Sequence, residues 1–298
     1  MIKTQSNPNF VKIIEVGPRD GLQSQSQIIS SEDKITYIDL LSDSGLQEIE
    51  VTSFVSPKWI PQLADAQMVS KSIQKNPRIT YTALVPNIIG LENAVNSNYK
   101  SVAIFTSVSE TFSKKNINCT IRDSIQKFHT MKPFWESNHL RVRGYISTVW
   151  HCPYEGSINI ESVMNIIAKL LDLGIKEISL GDTIGKANPS EVCRLLDQIL
   201  IKWDSSFFAL HMHDTFGLAE NNIKVAMEYG INTFDSSAGG IGGCPYAEGS
   251  SGNISTEKVF TLCDSMGIKT GIQKDKLDEA TQFIQTILKK ESFTHAQD

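Results

Sequence analysis

The sequence predicts an α/β fold, a closed (β/α)8 TIM barrel with a C-terminal helical extension, and three observations carry that prediction. Eight short apolar, β-branched runs recur along the 298 residues. Amphipathic segments of helical period lie between them, and the connections are short, with no internal linker or low-complexity tract. A chain of this length exceeds the usual single-domain size, so it holds either two domains or one large barrel. Regular alternation of strand and helix favours the barrel over a doubly wound sheet with an added domain. The barrel is assigned to residues 11–270, preceded by a segment at 1–10 and followed by a helix and tail at 271–298.

The eight strands are expected at residues 11–16, 48–54, 79–85, 102–108, 142–149, 177–180, 207–212 and 233–236. After the first, "SSEDKITYIDLLSDSG" reads as a helix with Ser30 or Ser31 as N-cap and Gly45 as its stop, and "NIESVMNIIAKLLDLG" as another that stops at Gly174. Beyond Thr270, "KDKLDEATQFIQTILKK" forms an extra helix that caps the barrel or makes an oligomer contact. The polar tail from Glu291 is expected to fray.

Bulk composition excludes several classes. A formal net charge of -5 gives no broad basic field, so nucleic acid is not an expected partner. No apolar run is long enough to cross a bilayer, and the start is polar, without a signal-peptide core or Arg-rich leader, so no membrane partner and a cytoplasmic location are expected. Five widely spaced cysteines without a C-x-x-C pair argue against a disulfide framework or structural zinc, leaving reduced thiols.

In such barrels the working site lies at the C-terminal ends of the strands. The run ending in "EVGPRDGLQSQ" places Arg19 and Asp20 at the exit of the first strand, where they either bind substrate or pair with each other. In "ALHMHDTFG", His211 and His213 stand at i and i+2 of a strand and project to one face, with Met212 on the other. They read as a metal pair or as two hydrogen-bonded histidines, and Asp20 at another strand exit favours the metal. "AGGIGGCPYAEGSSGN" is the densest glycine run, suited to a loop that folds over a ligand. Its Cys244 is either a small buried hydrophobe or a site residue, and Asn253 either an N-cap or turn residue or a metal ligand. Glu50 would be costly inside a barrel without a partner, and Arg19 is the nearest cation in sequence. Asp182 directly follows a strand.

Through these residues the chain resembles the 3-hydroxy-3-methylglutaryl-CoA lyases, within a wider group of metal-dependent TIM-barrel lyases and Claisen-type synthases. The resemblance runs nearly end to end through "EVGPRDGLQ", "EVTSFVSPKWIPQLAD", "SVSETFSKKNINCTI", "RGYISTVWHCPYEG", "LGDTIG", "HMHDTFG" and "GGCPYAEGSSGN", and the cysteine-containing glycine loop discriminates most. It implies a pyruvate carboxyltransferase-like catalytic barrel that cleaves 3-hydroxy-3-methylglutaryl-CoA into acetoacetate and acetyl-CoA, a carbon–carbon lyase step of leucine degradation and ketone-body formation. A related aldolase or Claisen-type acyl-CoA synthase with another substrate is the alternative. The resemblance further implies that Asp20, His211, His213 and Asn253 bind a divalent cation, Mg2+ or Mn2+. Arg19 faces the substrate carbonyl, Glu50 supports the site, Asp182 and His211 lie near the transferred protons, and Cys244 acts from the glycine loop. Gln23, Tyr145 and Glu257 line or brace the site. An acyl-CoA substrate and a homodimer or other homo-oligomer are the implied partners. Bulky Trp150 and His151, and "SSAGGIGG", depart from the family pattern and bear on acyl-chain selectivity.

Overall fold

The computed structural model describes residues 7–242 and 252–294. Its strands are β1 (Lys12–Glu15), β2 (Glu48–Ser53), β3 (Thr80–Leu84), β4 (Ser101–Ser107), β5 (Arg141–Ser147), β6 (His151–Cys152), β7 (Gly156–Ser157), β8 (Glu177–Asp182), β9 (Phe208–Met212) and β10 (Thr233–Ser236). Strands β6 and β7 form a small antiparallel hairpin after β5. The other eight close into a barrel in the order β1-β10-β9-β8-β5-β4-β3-β2, every pairing parallel. They coincide with the eight runs expected from the sequence.

Both faces of these strands are covered, which is why the sequence shows runs rather than clean alternation. The apolar core is the ring between strands and helices, built from residues such as Ile49, Val102, Ile146, Ile178, Leu210 and Phe234. The lumen is different. A barrel interior is commonly filled by branched aliphatics, but here successive inward positions carry Glu48 and Glu50, Arg141, Arg143 and Tyr145, Glu177 and Ser179. Near the N-terminal end of the barrel they pair off: Arg141 donates to Glu48 and Glu177 at 2.7 Å each, Arg143 to Glu177 at 2.6 Å, and Lys12 to Glu48 at 2.6 Å. Charges taken out of water are tolerated when matched in this way.

Local signals behave as the sequence indicates. The hydroxyl of Ser30 accepts from the Asp33 N–H at 3.1 Å and caps the helix Ser31–Asp43, and Asn159 caps Ile160–Asp172. Gly45 and Gly174, with φ of 85° and 86°, end these helices where a Cβ would be strained. The last helix, Lys274–Thr294, continues past Glu291, where a frayed tail was expected. It packs against the helix Ser31–Asp43 and the turn Ala238–Gly240. Among the described residues, no helix is long and apolar enough to cross a membrane.

Candidate active site

The first functional pair is set by a single π-turn. After β1, the carbonyl of Val16 accepts from the N–H groups of Arg19, Asp20 and Gly21 at 3.1, 2.7 and 3.2 Å, curling Gly17–Gly21 over the C-terminal end of the strand. Gly17 is required there, because a Cβ would come within 2.6 Å of both Glu15 Oε1 and the Tyr37 hydroxyl. The turn aims Arg19 and Asp20 at the mouth of the lumen. Arg19 is buried and donates through Nε to Glu50 and through Nη1 to Asp20. Burial opposes its charge, but these two carboxylates outweigh it and hold the guanidinium firmly protonated. Glu50, fully buried in β2, also accepts from the Tyr145 hydroxyl at 2.8 Å.

Across the barrel, β9 delivers His211 and, one step past its end, His213, with rings 5.3 Å apart, while Met212 turns into the apolar core. One ligand atom each from Asp20, His211 and His213 lies within 4.8 Å of the others. Asn253 completes the group: its Nδ2 donates to Asp20 at 2.9 Å, and its backbone bridges to His213. It is not a cap, since Ser255 caps the helix Thr256–Ser265. Burial opposes ionisation of Asp20, but Arg19, His211 and His213 outweigh it and hold the carboxyl well below its ordinary range. Burial, reinforced by His211, pushes His213 down to about 4 against the pull of Asp20, so it is neutral at physiological pH. Its Nδ1 is buried without a hydrogen-bond partner among the described residues. A carboxylate, two imidazoles and a side-chain amide oxygen are a donor set suited to a divalent cation.

Arg19, Asp20, His211 and His213 line a cavity of about 970 Å³, and Glu50 and Asn253 stand behind them. Gln23 and Tyr145 also line it, and its outer rim carries Trp59, Lys114, Lys115 and Lys127. Gln23 has a buried Oε1 with no hydrogen-bond partner among the described residues.

Several expected residues stand elsewhere. Asp182 lies behind the cavity wall made by its neighbours Gly181 and Thr183, and its carboxylate accepts from the N–H groups of Lys186 and Ala187 at 3.2 and 3.0 Å. Burial raises it to about 6 despite those bonds. Glu257 braces rather than lines: it accepts from Gly239 N–H at 3.0 Å and from the Thr281 hydroxyl. Trp150 and His151 are not on the cavity wall. Trp150 joins the apolar core, and the His151 ring meets Glu191 at 3.1 Å. Cys244 lies outside the described residues.

Sequence reasoning missed Arg143, Ser179 and Asp235, all fully or almost fully buried. Arg143 donates to the Tyr145 hydroxyl at 2.6 Å and to Asp235 at 2.5 Å, and the Ser179 hydroxyl donates to Asp235 at 2.6 Å. Burial opposes ionisation of Asp235, yet Arg143 and His211 bring it down to about 2. A signal was present: Arg143 is two residues before Tyr145 on the same strand, hence on the same face.

The model of the HMGL-like family matches residues 10–284. The chain belongs to that family. Among HMGL-like relatives, the human protein named hydroxymethylglutaryl-CoA lyase, mitochondrial, is 46% identical over 291 residues, covering 97% of this chain and 90% of its own. The crystal structure of the Bacillus subtilis HMG-CoA lyase superposes with a TM-score of 0.94 at 46% identity, covering 95% of each chain. An HMG-CoA lyase from Acinetobacter baumannii, solved with coenzyme A and 3-methylmalate, superposes with a TM-score of 0.89 at 36% identity, covering 94% of this chain and 92% of its own.

Proposed function

We propose that this HMGL-like chain is a carbon–carbon lyase that cleaves 3-hydroxy-3-methylglutaryl-CoA to acetoacetate and acetyl-CoA. The observation that carries the reading is the convergence of Asp20, His211, His213 and Asn253 beside the Arg19–Glu50 pair at one end of the cavity. Relatives sharing nearly half the sequence are named for that reaction.

In the cleavage the C3 hydroxyl loses a proton, the C2–C3 bond breaks, and its electron pair becomes the enolate of acetyl-CoA, which is then protonated at C2. Asp20, His211, His213 and Asn253 would hold Mg2+ or Mn2+, which when bound acidifies and orients substrate oxygens near neutral pH. Arg19 stabilises the negative charge that develops on a substrate oxygen, because its guanidinium stays charged and its orientation is fixed by Glu50. Tyr145 holds Glu50 in place through its hydroxyl. Asp182, raised into the range useful for a base at neutral pH, is the proposed proton acceptor. Its carboxylate must leave the Lys186–Ala187 amides or act through a water, since it stands behind the wall. Cys244 either returns a proton to the enolate or belongs to a loop that mainly excludes water, the two roles that the sequence leaves open. Gln23 supports substrate binding at the wall, and Glu257 keeps the turn Ala238–Gly240 in place.

The deciding experiment is a coupled assay for acetoacetate and acetyl-CoA from 3-hydroxy-3-methylglutaryl-CoA, with and without chelator. Products in equal amounts, lost on chelation and restored by Mn2+ or Mg2+, support the reading; binding without cleavage overturns it. A homodimer is the proposed assembly, checked by light scattering. A cytoplasmic location, expected from the sequence, is checked by fractionation, since the human relative is mitochondrial by name.

A further inference from the structure

The lumen holds a closed circuit of side chains that the proposed reaction uses only in part. From Asp20 it runs to Arg19, then Glu50, then the Tyr145 hydroxyl and Arg143. From Arg143 it passes to Asp235, whose Oδ2 stands 3.3 Å from His211 Nδ1, and it closes where His211 Nε2 stands 3.8 Å from Asp20 Oδ2. We propose that Asp235 is the positioning residue for His211, fixing the imidazole so that Nε2 presents its lone pair to the cation held with Asp20. This inference rests on the metal-dependent reading above.

Asp235 has no exposed carboxylate surface, and Arg143, equally buried, supplies the cation that keeps it ionised. An ionised carboxylate only accepts. Its Oδ1 takes the Arg143 Nη2–H, and its Oδ2 takes the Ser179 hydroxyl proton, so both donors on that side are committed. The group left facing Oδ2, at 3.3 Å, is His211 Nδ1, a buried nitrogen that makes no hydrogen bond among the described residues. Two acceptors in that position repel, so Nδ1 carries the proton. In the one-proton form that an imidazole must adopt to ligate a cation, an Nδ1–H leaves Nε2 as a bare lone pair pointing toward a carboxylate oxygen of Asp20. Two electron-rich atoms at 3.8 Å are a poor arrangement alone and a good one around a cation. A carboxylate behind a metal-binding histidine restricts its tautomer and ring rotation, and losing such a partner typically weakens metal binding about 10–100-fold.

The second arm from Arg143 runs through the Tyr145 hydroxyl to Glu50 and Arg19 and makes no hydrogen bond to His211 Nδ1, although the Tyr145 ring lies edge-on to the His211 ring at 6.0 Å between centroids. The two arms therefore separate in experiment. Long-range 1H–15N NMR of the imidazoles in the metal-free wild-type protein, with His211 assigned from the signal missing in His211→Gln, should show the Nδ1–H tautomer. The Nε2–H tautomer there overturns the proposal without any need for a variant at Asp235. Mn2+ titrations followed by the EPR signal of free Mn2+ should then show Asp235→Asn binding about 10–100-fold more weakly than wild type, with Tyr145→Phe near wild type. At saturating Mn2+, Asp235→Asn should recover much more of its kcat than at limiting Mn2+. A folded Asp235→Asn, checked by circular dichroism, that binds Mn2+ as tightly as wild type overturns the proposal. A wild-type protein that binds no Mn2+ fails the functional reading instead, a distinguishable result.

Discussion

Nε of Arg19 donates to Glu50, a residue of the neighbouring strand with no exposed surface. The pairing makes compatible the two readings that the sequence left open, an arginine that meets substrate and one that serves an ion pair. A guanidinium has five donors in a fixed plane. One N–H goes to Glu50 and one to Asp20, while the residue still lines the cavity. The ion pair aims the arginine, and its remaining donors are available to a ligand.

Arg19 and Asp20 are adjacent in sequence yet should separate in effect. Losing one electrostatic stabiliser typically costs about 10²–10³ in kcat, so Arg19→Met should collapse turnover while Mn2+ affinity stays near wild type. Asp20→Asn removes charge from the cation cluster and should lower metal affinity and activity together. Steady-state kinetics beside metal titration checks both, and an Arg19→Met protein that loses metal would falsify the division.

The barrel was legible because its signals are local and repeated: apolar runs of strand length, Ser30 before a helix, Gly45 and Gly174 after one. Arg19, Asp20, His211 and His213 were legible because strand ends and the i, i+2 rule place them. Asp235 and Arg143 were not, because an isolated charged residue within a strand reads the same whether it faces solvent or lumen, and only closure of the sheet brings them together. The buried position of Asp182 behind the wall depends on the loop at Lys186 and Ala187, which no periodicity encodes.

Gly242→Ala should act on the cation cluster from outside it. Gly242 has φ of 124°, and a Cβ there would lie 2.8 Å from Asn253 Nδ2. The clash is with the amide that approaches Asp20, on backbone that an L residue rarely adopts. Mn2+ affinity should fall several-fold, and melting temperature should fall by only a few degrees. Unchanged affinity would remove Asn253 from the proposed ligand set.

Asp182 gives a prediction in pH. Its pKa is raised to about 6, chiefly by burial, and the Lys186 and Ala187 amides moderate the shift. A base works ionised, so kcat/KM should rise with pH through about 6 and level off above it. General-base loss typically costs about 10²–10⁴, so Asp182→Asn should reduce the rate by that order and abolish this limb. A limb that persists in Asp182→Asn belongs to another group.

Glu15 should make the fold itself pH-sensitive. It is fully buried, and burial raises it from 4.5 to about 7, although the Thr256 hydroxyl and the N–H groups of Ala238 and Gly17 all donate to it. A carboxyl whose folded pKa is raised binds its proton more tightly folded than unfolded. The native state is therefore free of the ionisation cost below about 4.5, accumulates it between 4.5 and 7, and carries it in full above. That cost is about 3 kcal/mol. Glu15→Gln forfeits accepted hydrogen bonds, so its stability should be lower at pH 5, but its decline from pH 5 to pH 8 should be shallower than in wild type. Urea denaturation across that range checks the slope, and parallel curves for the two proteins would exclude Glu15 as its source.

Cys244 is best tested against a thiol whose surroundings are known. Cys152 is buried and its Sγ donates to Ser109 Oγ at 3.1 Å, so it packs and holds the hairpin of β6 and β7. Cys152→Ala should lower the melting temperature and leave kcat nearly unchanged. Cys244, if it is the acid that returns a proton to the enolate and not only part of a loop that excludes water, should show the reverse. A thiol with a pKa of about 8.5 is a far stronger acid than a hydroxyl, so Cys244→Ala should cut kcat much more than it raises KM, and Cys244→Ser should recover little. Deuterium incorporation at C2 of acetyl-CoA in heavy water, run under single-turnover conditions, adds a direct readout. If Cys244 delivers the proton, the alanine variant should release enolate-derived product slowly while substrate still binds. A normal kcat in Cys244→Ala would assign protonation to water or to another side chain and leave the cation cluster and the role of Arg19 unaffected.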